Sequence, residues 1–413
     1  MNIRQRYVVA CSIGASAVAL LTTLSATATS ASTSGTASPV GTTVACSTAI
    51  APAPLLGHVE THFAYGLLTP FGVAFGPDGD HAFVDSLINP TRSSSGPAPT
   101  RDASGLSEFS VTASGLVSER VGSFADESLL GMAISPNGRD LVAASGSGAS
   151  VFSVPRIDRP NSPPSSWLLG SFSSRGQGAI EVAVSPDGHD VFVSLEDSNQ
   201  LAVFNLQKAE RDGFGSSDLV GYVPMGAAPV GMAISPNGRY LYATSEVAAG
   251  TGTGTEGTLS TIDLRRAETQ PSRSVVSTVW AGCSPVRVVA TSSSVYVTAR
   301  ESDELLEFSA TDLTSQPASA LIGQVEVGEA PVGLALANHD GTVMVADSNR
   351  FGANGATSNL AVVRAAKTSL QLVGYVPAGD FPRDMAISPD GTTIVLSDYG
   401  SGQVEEVDVG TLP

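Results

Sequence analysis

The chain has 413 residues, 42% of them hydrophobic and 15% charged, with 43 glycines and 25 prolines; that composition supports a buried core and excludes disordered and collagen-like classes. Its 39 acidic against 21 basic residues give a formal charge of −18, which repels phosphate backbones and anionic lipid headgroups and removes nucleic acid from the candidate partners. Length alone leaves one or two domains open, because all-β and repeat folds run past the usual single-domain size.

The first 28 residues read as an export signal. Arg4 and Arg6 open it, an apolar stretch follows from Tyr7 to Leu24, and Ala26-Thr27-Ala28 fits an A-x-A cleavage site. An uncleaved membrane anchor is the other reading, although Ser12, Ser16, Thr22 and Thr23 dilute the apolar stretch. Cleavage removes Cys11 and leaves Cys46 and Cys283, which in an oxidising compartment either pair or stay free. There is no CxxC pair and no Cys/His cluster at zinc spacing, so no metal site or cofactor is expected. Residues 29–54 are Ser, Thr, Ala and Pro without a hydrophobic period and read as a flexible or wall-spanning linker.

From residue 55 onward one phrase recurs. It runs Pro70 to Gly79 (PFGVAFGPDG), Leu129 to Gly138 (LLGMAISPNG), Ala179 to Gly188 (AIEVAVSPDG), Pro229 to Gly238 (PVGMAISPNG), Pro285 to Ser294 (PVRVVATSSS), Pro331 to Gly341 (PVGLALANHDG) and Pro382 to Gly391 (PRDMAISPDG). The starts lie 59, 50, 50, 56, 46 and 51 residues apart, which is the period of a four-stranded propeller blade. Within a unit the phrase is an apolar strand ended by a Pro-Asp-Gly or Pro-Asn-Gly turn. A second run such as Tyr240 to Thr244, a third such as Leu201 to Phe204 and a fourth such as Leu219 to Val223 follow with period two. No stretch carries a helical period. The fold expected is an all-β, seven-bladed β-propeller with four-stranded antiparallel blades over residues 55–413.

The last copy supplies only Thr393 to Leu396 and Val404 to Val407 after its first strand, so its blade lacks an outer strand. A bare edge of unpaired N–H and C=O groups needs a partner. Leu55 to Val59 (LLGHV) echoes the fourth-strand phrase and is expected to fill the place, closing the ring one-plus-three between the N-terminal strand and the C-terminal blade.

The unit P-V-G-M-A-I-S-P-N-G-R-Y-L-Y-A-T-S, continued by L-S-T-I-D-L and V-G-x-V-P-x-G, resembles the YVTN-type propeller repeat of surface-layer proteins, close to lactonase propellers of the 6-phosphogluconolactonase type. That resemblance implies the propeller fold and leaves activity open, because such propellers include enzymes and binding proteins. The fifth copy departs most, with Thr291 to Ser294 in place of S-P-D-G, which puts its first hairpin in question.

The third residue of the phrase is glycine in four copies and Glu181, Arg287 and Asp384 in the other three. Charge at the narrowest part of a ring costs desolvation unless it pairs or meets a ligand. These three are therefore the first candidates for a site, with an ion-pair network of purely structural role as the alternative. The same face is expected to carry Asp85, Glu196, Glu246, Arg300, Asp347 and Asp398 at the ends of the second strands, and three long insertions at 89–104, 247–257 and 349–359. Of these, Glu196, Arg300, Asp347 and Asp398 join Glu181, Arg287 and Asp384 as expected ligand-binding residues. Glu181 or Asp384 would serve hydrolysis as general base and Arg287 as oxyanion partner. The same carboxylates also suit a divalent cation, which Arg287 opposes. Gly252 to Gly257 spells G-x-G-x-x-G but opens no helix, and His58 and His62 lack a third ligand.

Two functions fit. One is an exported binding or scaffold propeller, secreted or envelope-associated and monomeric, whose loop-rich face takes a protein, glycan or small ligand with no membrane insertion after signal cleavage. The other, implied by the resemblance, is a lactonase-like hydrolase of a sugar lactone or related ester.

Overall fold

Each copy of the phrase becomes the innermost strand of a blade. The computed structural model describes residues 38–43, 46, 50–65, 67, 69–88, 103–125, 129–248, 255–339, 341–352, 357–366 and 369–413. All of them belong to one compact unit, Gly35–Pro413. The expected export signal and most of insertion 89–104 lie outside the described residues, as do the middles of the other two insertions.

Seven four-stranded sheets follow one another. Blade 1 holds β2 (Pro70–Phe75), β3 (His81–Ile88), β4 (Ala103–Thr112) and β5 (Gly115–Ala125). Blade 2 holds β6 (Leu129–Ile134), β7 (Asp140–Ser145), β8 (Gly148–Ser153) and β9 (Leu168–Ser173). Blade 3 is β10 (Ala179–Val184), β11 (Asp190–Leu195), β12 (Gln200–Asn205) and β13 (Leu219–Pro224). Blade 4 is β14 (Ala227–Ile234), β15 (Tyr240–Val247), β16 (Glu256–Asp263) and β17 (Val275–Cys283). Blade 5 comprises β18 (Pro285–Ala290), β19 (Ser294–Ala299), β20 (Glu304–Ser309) and β21 (Leu321–Glu326). Blade 6 comprises β22 (Pro331–Ala337), β23 (Thr342–Asp347), β24 (Asn359–Ala366) and β25 (Ser369–Pro377). In blade 7, β26 (Pro382–Ile387), β27 (Thr393–Asp398) and β28 (Gln403–Asp408) are completed by β1 (Thr61–Tyr65), which pairs antiparallel with β28. Every inner strand packs on the next, including β26 on β2, so the ring closes.

The closing strand is not the expected one. Thr61–Tyr65 takes the place proposed for Leu55 to Val59, and Leu55 instead bridges in parallel to Tyr375 on the outer edge of blade 6. Leu56 N–H donates to the Tyr375 carbonyl at 2.7 Å, and Tyr375 N–H donates to the Pro54 carbonyl at 2.9 Å. The reason is hydrophobic: Leu56 and Val59 bury themselves in the seam between blades 6 and 7, with Val376, Leu396 and Val407, a gain of ~1.5–3 kcal/mol per side chain. A turn at 57–60 then delivers the chain to β28.

The residues before that turn fasten to outer edges. Val40 bridges in parallel to Val279 on β17, and Cys46 forms a disulfide with Cys283 at the end of the same strand. Ala51 N–H donates to the Val327 carbonyl at 3.1 Å, and the Tyr375 hydroxyl donates to the Ala51 carbonyl at 2.6 Å. Unpaired backbone at a blade edge gains a partner wherever the arm touches it.

The core lies between blades. Phe192, Leu201 and Val203 of blade 3 meet Leu241, Ala243 and Ile262 of blade 4, and the other seams are built alike. The S-P-D-G turns gather on one face, where Gly79, Gly138, Gly188, Gly238 and Gly391 take φ between 66° and 78° as the turn demands. The fifth blade keeps its hairpin: Thr291 Oγ1 accepts from Ser294 N–H at 2.9 Å, as Ser235 Oγ does from Tyr240 N–H at 2.9 Å. Between third and fourth strands lie short helices, Leu206–Asp212 the longest described, which are too brief to leave a period in the sequence.

Candidate functional site at the channel mouth

Each inner strand carries a β-bulge just after the first residue of the repeated phrase, seen as a register shift between Ala179 and Val182, Pro229 and Met232, or Pro382 and Asp384. A bulge re-aims the side chain it contains. Here it turns the third residue of the phrase toward the axis.

In four blades a second-strand hydroxyl holds this bulge. Ser194, Thr244, Thr298 and Ser397 accept from the N–H of Glu181, Gly231, Arg287 and Asp384 at 3.0, 2.9, 3.1 and 3.2 Å. The same hydroxyls donate to the carbonyls of Val230, Val286, Val332 and Phe71 in the next blade at 2.9, 2.9, 3.0 and 2.6 Å. One side chain thus fixes the bulge and fastens the blade to its neighbour.

The three charged third residues meet. Arg287 Nη2 lies 3.3 Å from Glu181 Oε2 and Arg287 Nε lies 3.5 Å from Asp384 Oδ1. Arg287 reaches past one glycine blade on each side to do so. Asp384 Oδ2 also accepts from Val73 N–H at 3.1 Å, which ties blade 7 to blade 1. Glu181 and Arg287 are 8% and 6% exposed. Burial pushes the Glu181 carboxyl up to about 7, with Arg287 pulling it back and Asp384 adding to the rise. The two ion pairs are longer than a charge-assisted hydrogen bond of about 2.7–2.9 Å, and no Arg287 N–H group has a hydrogen-bond partner among the described residues.

A second layer stands where the second strands end. Arg300 grips Glu246 with both Nη atoms at 3.0 Å. Burial pushes Glu196 up to about 7, and the nearby Glu246 and Asp197 charges raise it further while Arg300 and Arg383 oppose. Arg383 lies with its guanidinium carbon 3.7 Å from the Phe71 ring centroid and faces Phe381 and Tyr399 at 5.8 and 5.7 Å; cations favour such aromatic faces. Arg383 is the one charged residue at the second position of the phrase, where the other six copies carry Phe71, Leu130, Ile180, Val230, Val286 and Val332, and the sequence reading, centred on the third position, did not include it.

Asp347 and Asp398 go elsewhere. Each packs on the glycine that precedes its own blade, Gly328 and Gly379, at the place where Ser245 meets Gly226 in blade 4. Asp398 Oδ2 accepts from Gln403 at 3.0 Å. Burial raises Asp347 well above the usual carboxylate range and Asp398 to about 7, and none of the groups acting on either is Arg287. Asp85 stands one residue earlier on its strand than these two, opposite Leu106 rather than at the Ser86 position. Because side chains alternate between faces, that single step sends it to the side of the hydroxyl fasteners. Among the described residues no group of three or more His, Cys, Asp and Glu is arranged to hold a metal ion.

Fold and site together define a seven-bladed propeller whose lumen is spanned by a buried arginine between two carboxylates. The family model described as "Lactonase, 7-bladed beta-propeller" matches residues 105–350, and the chain belongs to that family. Similar solved structures include a chain of the "Crystal Structure of Mitotic Checkpoint Complex", with TM-score 0.60 and 12% identity over 95% of this chain and 99% of that one. The hydrazine synthase of Kuenenia stuttgartiensis matches with TM-score 0.59 and 14% identity over 85% of this chain and 98% of that one. A beta-propeller domain from Myceliophteria thermophila follows at 0.58 and 13%, over 85% and 100%. At those identities the likeness is one of fold alone. No curated protein matches the chain.

Proposed function

We propose that the protein is an exported propeller that binds a small polar ligand at the mouth of its channel, on the face where the second strands end. One observation carries this reading: Arg287 is almost wholly buried, yet its N–H groups lack hydrogen-bond partners among the described residues. A buried guanidinium left so loosely held is costly, and a ligand oxygen would satisfy it. The apolar leader and A-x-A site in residues 1–28 support export, to the medium or the envelope.

A second reading is favoured by Glu181 and by the family's name. A carboxylate poised at about 7 suits a general base at neutral pH. In lactone hydrolysis it would take a proton from water as the water oxygen bonds to the carbonyl carbon. Arg287 would stabilise the resulting oxyanion, and the ring C–O bond would break with its oxygen regaining the proton.

Calorimetric titration and turnover assays with sugar lactones, sugar acids and neutral sugars test both. Binding is expected for the wild type. If turnover accompanies it, the rate is expected to rise with pH toward about 7, where Glu181 loses its proton. Glu181→Gln would then abolish turnover and leave binding. Binding without turnover leaves the first reading alone, and a wild type that binds no compound of the panel contradicts both.

A further inference from the structure

Blade 7 departs from the repeat at three places that meet at the mouth. The residue before the phrase is Thr69, Gly178, Ala228, Ser284, Ala330 and Phe381 in the six copies where it is described, at φ between 49° and 77°. Glycine suits that left-handed conformation and small residues tolerate it, whereas a bulky phenylalanine there is strained. The second residue of the phrase is apolar in the other six copies and Arg383 in this one. Tyr399 follows the residue paired with the first residue of the phrase, the place held by Glu196, Glu246 and Arg300 in blades 3, 4 and 5.

These side chains touch one another and keep part of their surface in solvent. The Phe381 and Tyr399 rings lie 5.3 Å apart at 57°, and behind them Tyr399 N–H donates to the Phe381 carbonyl at 2.9 Å. Phe381, Arg383 and Tyr399 are all half-buried. Pairs such as Phe124–Phe152 and Phe172–Phe204 are buried and join neighbouring blades. Phe381 and Tyr399 belong to one blade, so their contact seals no seam. Arg383, over the Phe71 ring, directs its N–H donors along the edge of the guanidinium rather than into the ring. It neighbours Asp384, which pairs with Arg287, and it is near enough to Glu181 and Glu196 to oppose the rise that burial imposes on their carboxyls.

We propose that Phe381 and Tyr399 form a stacking platform for the ring of a cyclic sugar, with Arg383 donating to its oxygens. This rests on the channel-mouth reading above and supplies its ligand class. Half-exposed rings with a few placed polar groups beside them are the usual make-up of a small-molecule site. The C–H face of a sugar ring is apolar and lies on an aromatic face, while its hydroxyls both donate and accept. Such hydroxyls suit a mouth that carries Arg383 and Arg300 together with Glu196 and Glu246. An open-chain polyol brings the hydroxyls without the face. An aromatic carboxylate brings a face without donors, and its charge meets the like charge of the carboxylates.

Calorimetric titration with the cyclic members of the same panel, neutral sugars and sugar lactones, against open-chain alditols, open-chain sugar acids and benzoate tests the platform. The wild type is expected to bind the best cyclic sugar about tenfold more tightly than its open-chain counterpart. Phe381→Asn removes one ring and keeps a residue that accepts the left-handed conformation. It is expected to bind cyclic sugars about tenfold more weakly, with a melting temperature within roughly 2 °C of the wild type because relieved strain offsets the lost contact. Tyr399→Leu leaves that backbone alone and is expected to weaken the same ligands about fivefold. Cyclic and open-chain ligands bound alike, or benzoate bound more tightly than any sugar, overturns the proposal. Variants that bind as the wild type does, whatever their melting temperatures, make the rings structural and overturn it while leaving the channel-mouth reading intact. A wild type that binds nothing in the panel removes both.

Discussion

Blades 3 and 4 are built alike: four antiparallel strands, a bulge in the first, and a hydroxyl that fastens each to the blade that follows. They part at the third residue of the inner strand, Glu181 in one and Gly231 in the other. At Gly231 the neighbouring backbone moves in, so that an added Cβ would strike the Val286 carbonyl. Over Gly131, next to Glu181, the space is taken by the carboxyl of Glu181 itself. Glycine in this ring is a packing device, and charge in this ring is an occupant of the lumen. The architecture tolerates either, which is why the charged blades are where binding is sought.

The largest effect expected from breaking this contrast is on Arg287→Ala. It leaves Glu181 and Asp384 buried without their counter-charge and is expected to cost about 3–5 kcal/mol in chemical denaturation. A loss under 1 kcal/mol would mean that the two carboxylates are already neutral and that Arg287 holds nothing together.

The pH dependence is expected to be next. Glu181 is raised in the folded state from an ordinary value of 4.5 to about 7, so the folded protein holds a proton that the unfolded chain has released. That contribution is fully present below the unfolded value and is lost as pH rises through the folded one, roughly 2 kcal/mol between pH 5 and 7. Glu196 at about 7 and Glu405 at about 9 act in the same direction. Melting temperature should therefore fall from pH 5 to pH 8, and Glu181→Gln should flatten the slope. A wild type more stable at pH 8 would reverse the account of these carboxyls.

The smallest effects sharpen the comparison between glycines. Gly231→Ala meets backbone and is expected to destabilise by about 1–2 kcal/mol. Gly131→Ala meets a movable carboxylate and is expected to cost less than about 1 kcal/mol, but to disturb Glu181. Equal losses at the two positions would show that both are limited by backbone.

Much of this was legible in the residues because a repeat exposes its own exceptions. Seven phrases at blade spacing determined the ring, and three charges at a glycine position determined which side chains meet on its axis. What misled was likeness without context. Leu55 to Val59 spells the fourth-strand phrase, yet the seam between blades 6 and 7 offered its leucine a deeper burial than the edge of β28 did. Asp347 and Asp398 look equivalent to Asp85 in sequence, but the register differs by one residue and alternation sends them to a different face. Arg383 stands out as the one charge at a position that is apolar in the other six copies, but its role was hidden because Phe71 of blade 1 joins Phe381 and Tyr399 around it only when blade 7 meets blade 1. The bond between Cys46 and Cys283, 237 residues apart, likewise needed the path of the arm to be known.

The most direct test of the channel-mouth account is a crystal structure of the wild-type protein soaked with the sugar lactone or sugar acid that binds most strongly. Ligand density at the channel mouth, with an oxygen within hydrogen-bond distance of Arg287, is the result expected. Density confined to the face of the S-P-D-G turns, with the Arg287 ion pairs undisturbed, would contradict it.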